Sequence, residues 1–278
     1  MNSDKDSSSF SFINLAIAGI RVRLACDNHG VTELLRGRYR DFLSDGQPYL
    51  EAVVTLSDQP GLSSLLNAEI EFQGGVLRFI ASGYQGNIDA GAGRAELQLS
   101  SVRAVEEVEY FLRIIYAVAA YENGGLLFHA AGIVKGEQAY LFFGHSGAGK
   151  TTAARLSKRY LVLNDDLLLL LPGSPDSQDP RVWSAHATPF WNPTQVRPAA
   201  AGAPIAGLYR LVQDKKVFLE PISKGQALAE LIANFPVIPD DPGRNEGLIS
   251  RALSLLEAAP AYRLHFLPDD SFWNVISK

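Results

Sequence analysis

Short runs in which apolar and polar residues alternate recur through the first part of the chain, at 13–17, 20–25, 50–56, 69–72, 76–80 and 95–99. A period of two over that length marks half-buried strands. Residues 31–42, between the second and third runs, carry helical spacing instead. The glycine-rich stretch 83–93 contains no lysine and reads as a hairpin or mobile loop. From 102 to 120 the residues Val105, Val108, Leu112, Ile115 and Ala119 fall three and four apart, which predicts an amphipathic helix with one face in a core. Glu109 and Arg113 are spaced to pair on its surface. Asn123, Gly124 and Gly125 end it, and the domain boundary is placed there, with an N-terminal α+β subdomain over 10–123 and a second domain over 124–278.

Beyond 124 the β-like runs are strongly apolar. The runs 126–134 and 138–143 are separated by almost nothing but Gly136 and Glu137, which predicts a two-residue hairpin with glycine first, a type II′ turn. Antiparallel pairing about that centre sets His129 opposite Gly144. A helix is expected from 150 to 158, and residues 161–163 are expected to return the chain to a parallel strand neighbouring 139–143. The apolar run 161–171 is interrupted by Asp165 and Asp166 and stopped by Pro172 and Gly173, and a polar stretch follows to about 179. Residues 184–191 fit neither a helix nor a clean strand, yet they bring His186, Phe190 and Trp191 together. Segments 208–212 and 217–219 look like a hairpin about Asp214 and Lys215. Ser223 and Gln226 form a capping box ahead of one helix, a second helix lies near 246–256, and 262–267 is a late strand. Asp270 is placed to cap a short closing helix through Phe272 and Trp273.

The chemistry concentrates where the second pattern is broken. Gly144, His145, Ser146, Gly147, Ala148, Gly149, Lys150 and Thr151 match the phosphate-binding loop G-x-x-x-x-G-K-[ST], and Thr152 follows in the same helix start. An apolar run enters this loop and a helix-forming run leaves it, as the motif requires. Glycines let successive N–H groups turn inward, and the helix N-terminus adds partial positive charge, so a polyphosphate can be cradled. Lys150 would neutralise the β- and γ-phosphates and Thr151 would offer its hydroxyl to Mg²⁺. The alternative is a glycine-rich strand-to-helix turn with a solvated lysine. Asp165 and Asp166 stand at the carboxyl end of the next strand, on the edge that carries the loop. One carboxylate can hold Mg²⁺ and another can take the proton of an attacking hydroxyl. Strand alternation points neighbouring residues apart, so only one aspartate reaches the phosphates unless the strand bends at Asn164. Turn formation or helix capping is the competing reading of the pair. His129 is either idle in the sheet or at work beside the phosphates. Arg210, Arg244 and Arg251 are candidates for stabilising transferred charge, or ordinary ion-pair partners. His145 and His265 are read as structural.

Composition narrows the partners. The 278 residues, 47% hydrophobic and 20% charged, are ordinary for a globular chain of one large domain or a domain with an appended subdomain. A net charge of −5 argues against a general nucleic-acid or acidic-membrane binder. The single cysteine, Cys26, has no partner for an internal disulfide, which fits a reducing cytoplasm and a small buried residue. Residues 1–9 are polar and read as a disordered tail, and the most apolar stretch, 161–171, is too short to span a membrane.

His129 on the strand before the hairpin, then the 144–151 loop, then Tyr160-Leu-Val-Leu-Asn-Asp-Asp166 resemble the core of the HPr kinase/phosphorylase family. In that family a histidine strand, a G-x-S-G-x-G-K-[ST] loop and an L-V-x-D-D segment follow in this order. The likeness covers about residues 124–171 and, more loosely, the remainder. The wider group includes relatives in peptide-modification gene clusters and shares a fold with the phosphoenolpyruvate carboxykinases. The resemblance implies an α/β phosphate-loop core with a mixed sheet, preceded by the small α+β subdomain. It implies Asp165 as the acid/base, Asp166 and Thr151 facing Mg²⁺, and His129 near the acceptor or γ-phosphate. The first half is similar to the β-rich region of HPr-kinase-like proteins of unassigned substrate. The later arginine segments that bind HPr have no clear counterpart, so the expectation is an ATP-dependent kinase acting on a serine or similar hydroxyl of a protein or peptide. Homo-oligomers are a further implication of the family. A nucleotide-binding regulatory protein, a small-molecule kinase and a nucleotide hydrolase are the alternatives.

Overall fold

The computed structural model describes residues 10–57, 68–173, 181–191, 197–236 and 242–276. The expected tail at 1–9, the polar stretch at 174–180 and residues 192–196 lie outside the described residues. The chain is mixed α/β and divides into two compact units, Met1–Ile115 and Tyr116–Lys278. The division falls within the long helix. Among the described residues no helix is long and apolar enough to cross a membrane.

The first unit is built on a seven-stranded sheet. Its strands are β1 (Ser11–Ile17), β2 (Ile20–Cys26), β3 (Leu50–Leu56), β4 (Glu69–Gln73), β5 (Val76–Ala81), β6 (Tyr84–Asp89) and β7 (Arg94–Leu99), in the order β1-β2-β3-β7-β6-β5-β4. The alternation works as expected. Leu15, Val22, Leu24, Ala52, Val54, Leu77, Phe79 and Leu97 are buried, while Phe12, Val53 and Ile80 face solvent. Helix α1 (His29–Arg38) is capped by the Asn28 side chain, which accepts from Val31 N at 3.0 Å, and ends in a 3-10 turn at Arg40–Phe42. Helix α2 (Ala104–Glu122) carries the expected Glu109–Arg113 pair at 2.9 Å. Cys26 is fully buried.

The hairpin reading of 83–93 is borne out and extended. The glycine-rich stretch 83–93 is not only a turn, because it holds β6 between β5 and β7. A Cβ at Gly86 would come within 2.3 Å of the Phe79 ring and 2.6 Å of the Glu96 carbonyl. The glycine admits close packing in mid-strand.

The second unit opens with β8 (Leu126–Phe128), β9 (Ala130–Lys135) and β10 (Gln138–Phe143), followed by α3 (Lys150–Leu156), β11 (Leu161–Asn164), β12 (Leu168–Pro172) and β13 (Trp183–Ala187). Then come β14 (Gly202–Gln213), β15 (Phe218–Pro221), α4 (Lys224–Ile232), α5 (Pro242–Ala258), β16 (Ala261–Phe266) and α6 (Trp273–Ile276). The main path runs β11-β9-β10-β14-β13-β12-β8, with β16 beside β14 and β15 beside β16. Strands β9, β10 and β12 are buried over most of their length, as near-continuous apolar runs require. Phe142, Tyr209, Phe272 and Trp273 pack under α3, where Trp273 Nε1 donates to Ser157 Oγ at 3.0 Å.

Several local expectations are corrected. Glu137 joins Gly136 at positive φ, 65° and 57°, so the hairpin turn is type I′ rather than II′. The run 126–134 breaks at His129, where the chain leaves β8, paired with β12, for β9, paired with β10. Strand β11 points the same way as β10 but is not its neighbour, because the hairpin partner β9 already occupies that edge and β11 pairs antiparallel with β9. The hairpin expected about Asp214 and Lys215 does not form, because β16 lies between β14 and β15. Residues 184–187 belong to a regular strand, β13. The capping box at Ser223 forms as read, but Asp269, not Asp270, caps the closing 3-10 turn by accepting from Ser271 N at 3.0 Å.

Candidate functional site

The site is assembled where strands of the second unit end. Pairing of β9 with β10 closes at Phe143 opposite Ala130. His129 and Gly144 are therefore the next residues out, as the hairpin register requires. Freed from the ladder, the His129 backbone N–H donates to Asn234 O at 2.9 Å. Gly144, Gly147 and Gly149 in the loop between β10 and α3 take φ of 148°, 80° and 111°. Glycine is compulsory at 149, because a Cβ there would also meet the Phe266 ring at 2.5 Å. Lys150 folds back over the loop, its Nζ donating to Gly144 O at 2.7 Å and to His145 O at 3.3 Å. Burial lowers its pKa, and the nearby Asp166 carboxylate works against that shift.

Asn164 decides what the next strand presents. Its Oδ1 accepts from Asp166 N at 2.7 Å and Leu167 N at 3.1 Å, turning the chain at the end of β11. Its Nδ2 donates to Thr188 O at 2.9 Å and Phe190 O at 3.2 Å, and Thr188 Oγ1 donates to Leu167 O at 2.8 Å. The strand does bend at Asn164, so Asp165 and Asp166 both line one cleft.

The two carboxylates differ. Asp165 is 2% exposed, and its oxygens are buried without a well-formed hydrogen bond. Burial raises its pKa; the nearby Thr151 hydroxyl lowers it and the Asp166 charge raises it further. Asp166 is more open, and His129 Nε2 lies 3.0 Å from its Oδ1. The cleft is about 390 Å³ and mostly polar. Ser146, Gly147, Gly149, Lys150, Thr151 and Thr152 form one wall, and His129, Asp165 and Asp166 another. Of the remaining loop positions, Gly144 and Ala148 are buried beneath and His145 is exposed, its Nδ1 2.7 Å from Ser146 O.

Gln213 also lines this cleft, its Nε2 donating to Gly147 O at 2.8 Å. Sequence reasoning missed it. The available signal was topological: β14 runs parallel to β10 and ends on the same edge.

Other candidates stand elsewhere. Arg210 pairs with Glu230 at 2.9 Å and lies beside Gly144 under the loop. Arg244 pairs with Glu122 and, with Arg251, packs over the Tyr121 ring. Phe190 is fully buried against Tyr116, and burial lowers the pKa of His186 to about 4. That segment buttresses Asn164 rather than lining the cleft. An apolar cavity of about 20 Å³ by Tyr121 and Leu126, and a cleft of about 480 Å³ beside Tyr84 in the first unit, gather no comparable set of ionisable groups. Among the described residues no three His, Cys, Asp or Glu side chains cluster as a metal cage.

Residues 97–235 match the family described as SynChlorMet cassette protein ScmC, which is half of the 278-residue chain. The chain belongs to this family. The matched segment contains every residue that lines the cleft. No curated protein matches the chain.

Proposed function

We propose that this ScmC-family chain is an ATP-dependent kinase with an HPr-kinase-like phosphate-loop core, transferring the γ-phosphate to a serine or similar hydroxyl of a protein or peptide. The observation that carries this reading is the convergence of Lys150, Thr151, Asp165, Asp166 and His129 on one cleft. A cassette protein fits an acceptor encoded by a neighbouring gene.

Lys150 and the loop amides bind the phosphates. Mg²⁺ would be held by Thr151 and Asp165, and when bound it neutralises phosphate charge. The fit rests on Asp165, whose two buried oxygens lack well-formed partners beside the Thr151 hydroxyl. Mg²⁺ commonly takes one or two carboxylates plus substrate phosphates, so the lack of a three-residue cage is no obstacle. Asp166, oriented by His129 at 3.0 Å and open to the cleft, takes the acceptor's hydroxyl proton as its oxygen attacks. This exchanges the aspartate roles implied by the resemblance, on the grounds of burial and of the histidine contact.

Radiolabel transfer from ATP to serine-containing products of neighbouring genes tests the reading. Asp166→Asn is expected to keep Mg²⁺-dependent ATP binding and lose about 10²- to 10⁴-fold in transfer. Asp165→Asn is expected to lose the Mg²⁺ dependence of binding. It should also raise the stability of the ligand-free protein near neutral pH, because a buried carboxyl with a raised pKa costs stability once ionised. Wild type that binds no ATP would overturn the nucleotide assignment; unchanged transfer by Asp166→Asn would overturn the base.

A further inference from the structure

Two residues paired in the sheet hold the glycine-rich loop. Gln213 ends β14 and Phe266 ends β16, and the two are register partners in the parallel ladder between those strands. Just past them the Asp214 N–H donates to Phe266 O at 3.2 Å, so the backbone that carries Gln213 is fixed on both sides. Each partner meets one glycine of the loop. The Phe266 ring stands where a Cβ at Gly149 would go, 2.5 Å away, and is itself buried. Gln213 Nε2 donates to Gly147 O at 2.8 Å.

The two contacts act differently. The ring is an apolar stop with no directional demand, whereas the hydrogen bond sets an orientation. Gly147 sits at a φ of +80° with no atom within 4 Å of where a Cβ would stand, so no steric contact fixes its peptide. Its C=O and the Ala148 N–H belong to one planar trans peptide and point in opposite directions. The Ala148 N–H donates to His145 O at 3.1 Å, and that same carbonyl receives Lys150 Nζ at 3.3 Å. A carbonyl only accepts, so the NH₂ end of Gln213 is the end that faces Gly147. With Gln213 in place the peptide is tied at both ends. Without it, among the described residues, the peptide is tied at the His145 end alone and can rock.

We propose that Gln213 is a positioning residue for phosphate binding: its side-chain N–H fixes the plane of the Gly147–Ala148 peptide and, through His145 O, the resting place of Lys150. Strand pairing makes it a rigid tie from the sheet to the tip of the loop, and Phe266 limits the loop one residue further on. The consequence for ligand affinity rests on the nucleotide reading above.

Gln213→Met keeps the length of the side chain and removes the N–H, whereas Gln213→Lys keeps a donor. Hydrogen exchange of the ligand-free full chain reads the Ala148 amide, whose bond to His145 O reports the peptide plane, and Mg-ADP binding is measured in parallel. In Gln213→Met, Ala148 protection and Mg-ADP affinity are both expected to fall about 2- to 10-fold, the worth of one hydrogen bond, while the amides of β10 and β14 keep wild-type protection. Gln213→Lys should stay within about 2-fold of wild type in Ala148 protection. Wild-type Ala148 protection in Gln213→Met overturns the tie, and so does an equal loss in Gln213→Lys. A fall that spreads through β10 and β14 overturns it in favour of a general stabilising role, and unchanged Mg-ADP affinity beside lost protection overturns the positioning of Lys150. If protection behaves as expected while wild type binds no Mg-ADP, the nucleotide reading fails and the tie to the loop stands.

Discussion

The sheets of the two units use opposite hydrophobic patterns. In the first, Val54 is buried and Val53 next to it is exposed, so β3 alternates between a buried and an open face. In the second, Leu168, Leu169 and Leu170 are all buried in succession. A sheet covered on both faces leaves its strand ends as the natural openings, and there His129, the glycine-rich loop, Asp165 and Gln213 meet. Among the described residues the open face of the first sheet gathers no such set.

Three measurements can break or sharpen that contrast. Asn164→Ala strips the buried amide that turns β11, so chemical denaturation should show a loss of about 4 kcal/mol as several backbone groups go unpaired. A loss below about 1 kcal/mol would mean that the turn is held by other contacts. In the same sheet His186 is held neutral, its pKa lowered from 6.5 to about 4 by burial. The unfolded chain takes up the proton first, so stability is fully present above the unfolded value. It should then fall by about 3 kcal/mol between about pH 6.5 and 4, a drop that His186→Gln should lack. Smallest is the paired change on β3: Val54→Thr should cost about 1–3 kcal/mol and Val53→Thr no more than about 0.5 kcal/mol. Equal costs would show that the outer face is covered in solution.

Legibility followed sequence distance. The 144–151 loop was readable because strand, glycines, lysine and helix are contiguous. The pairing of β9 with β10 was readable because two residues separate them, although positive φ at Glu137 was not, since glutamate seldom adopts it. Strand β6 was obscured because Gly86 reads as a turn residue, whereas its reason is the Phe79 ring on the facing strand. The false hairpin about Asp214 arose because local pairing is the default, and β16 enters from far along the chain. The bend at Asn164 appeared only as a condition. Its partners, Thr188 and Phe190, lie in a segment that sequence reading left without regular structure.

The sequence by itself determined the alternating and continuous strand patterns, the glycine-rich loop with its lysine, and the delivery of His129 and the aspartate pair to one sheet edge. These depend on backbone geometry and on neighbours a few residues away. Only the tertiary structure decided that Asp165 is buried while Asp166 meets His129, and that Gln213 belongs to the site. Burial and long-range hydrogen bonds depend on which distant strands occupy neighbouring places in the sheet, and no local pattern encodes that choice.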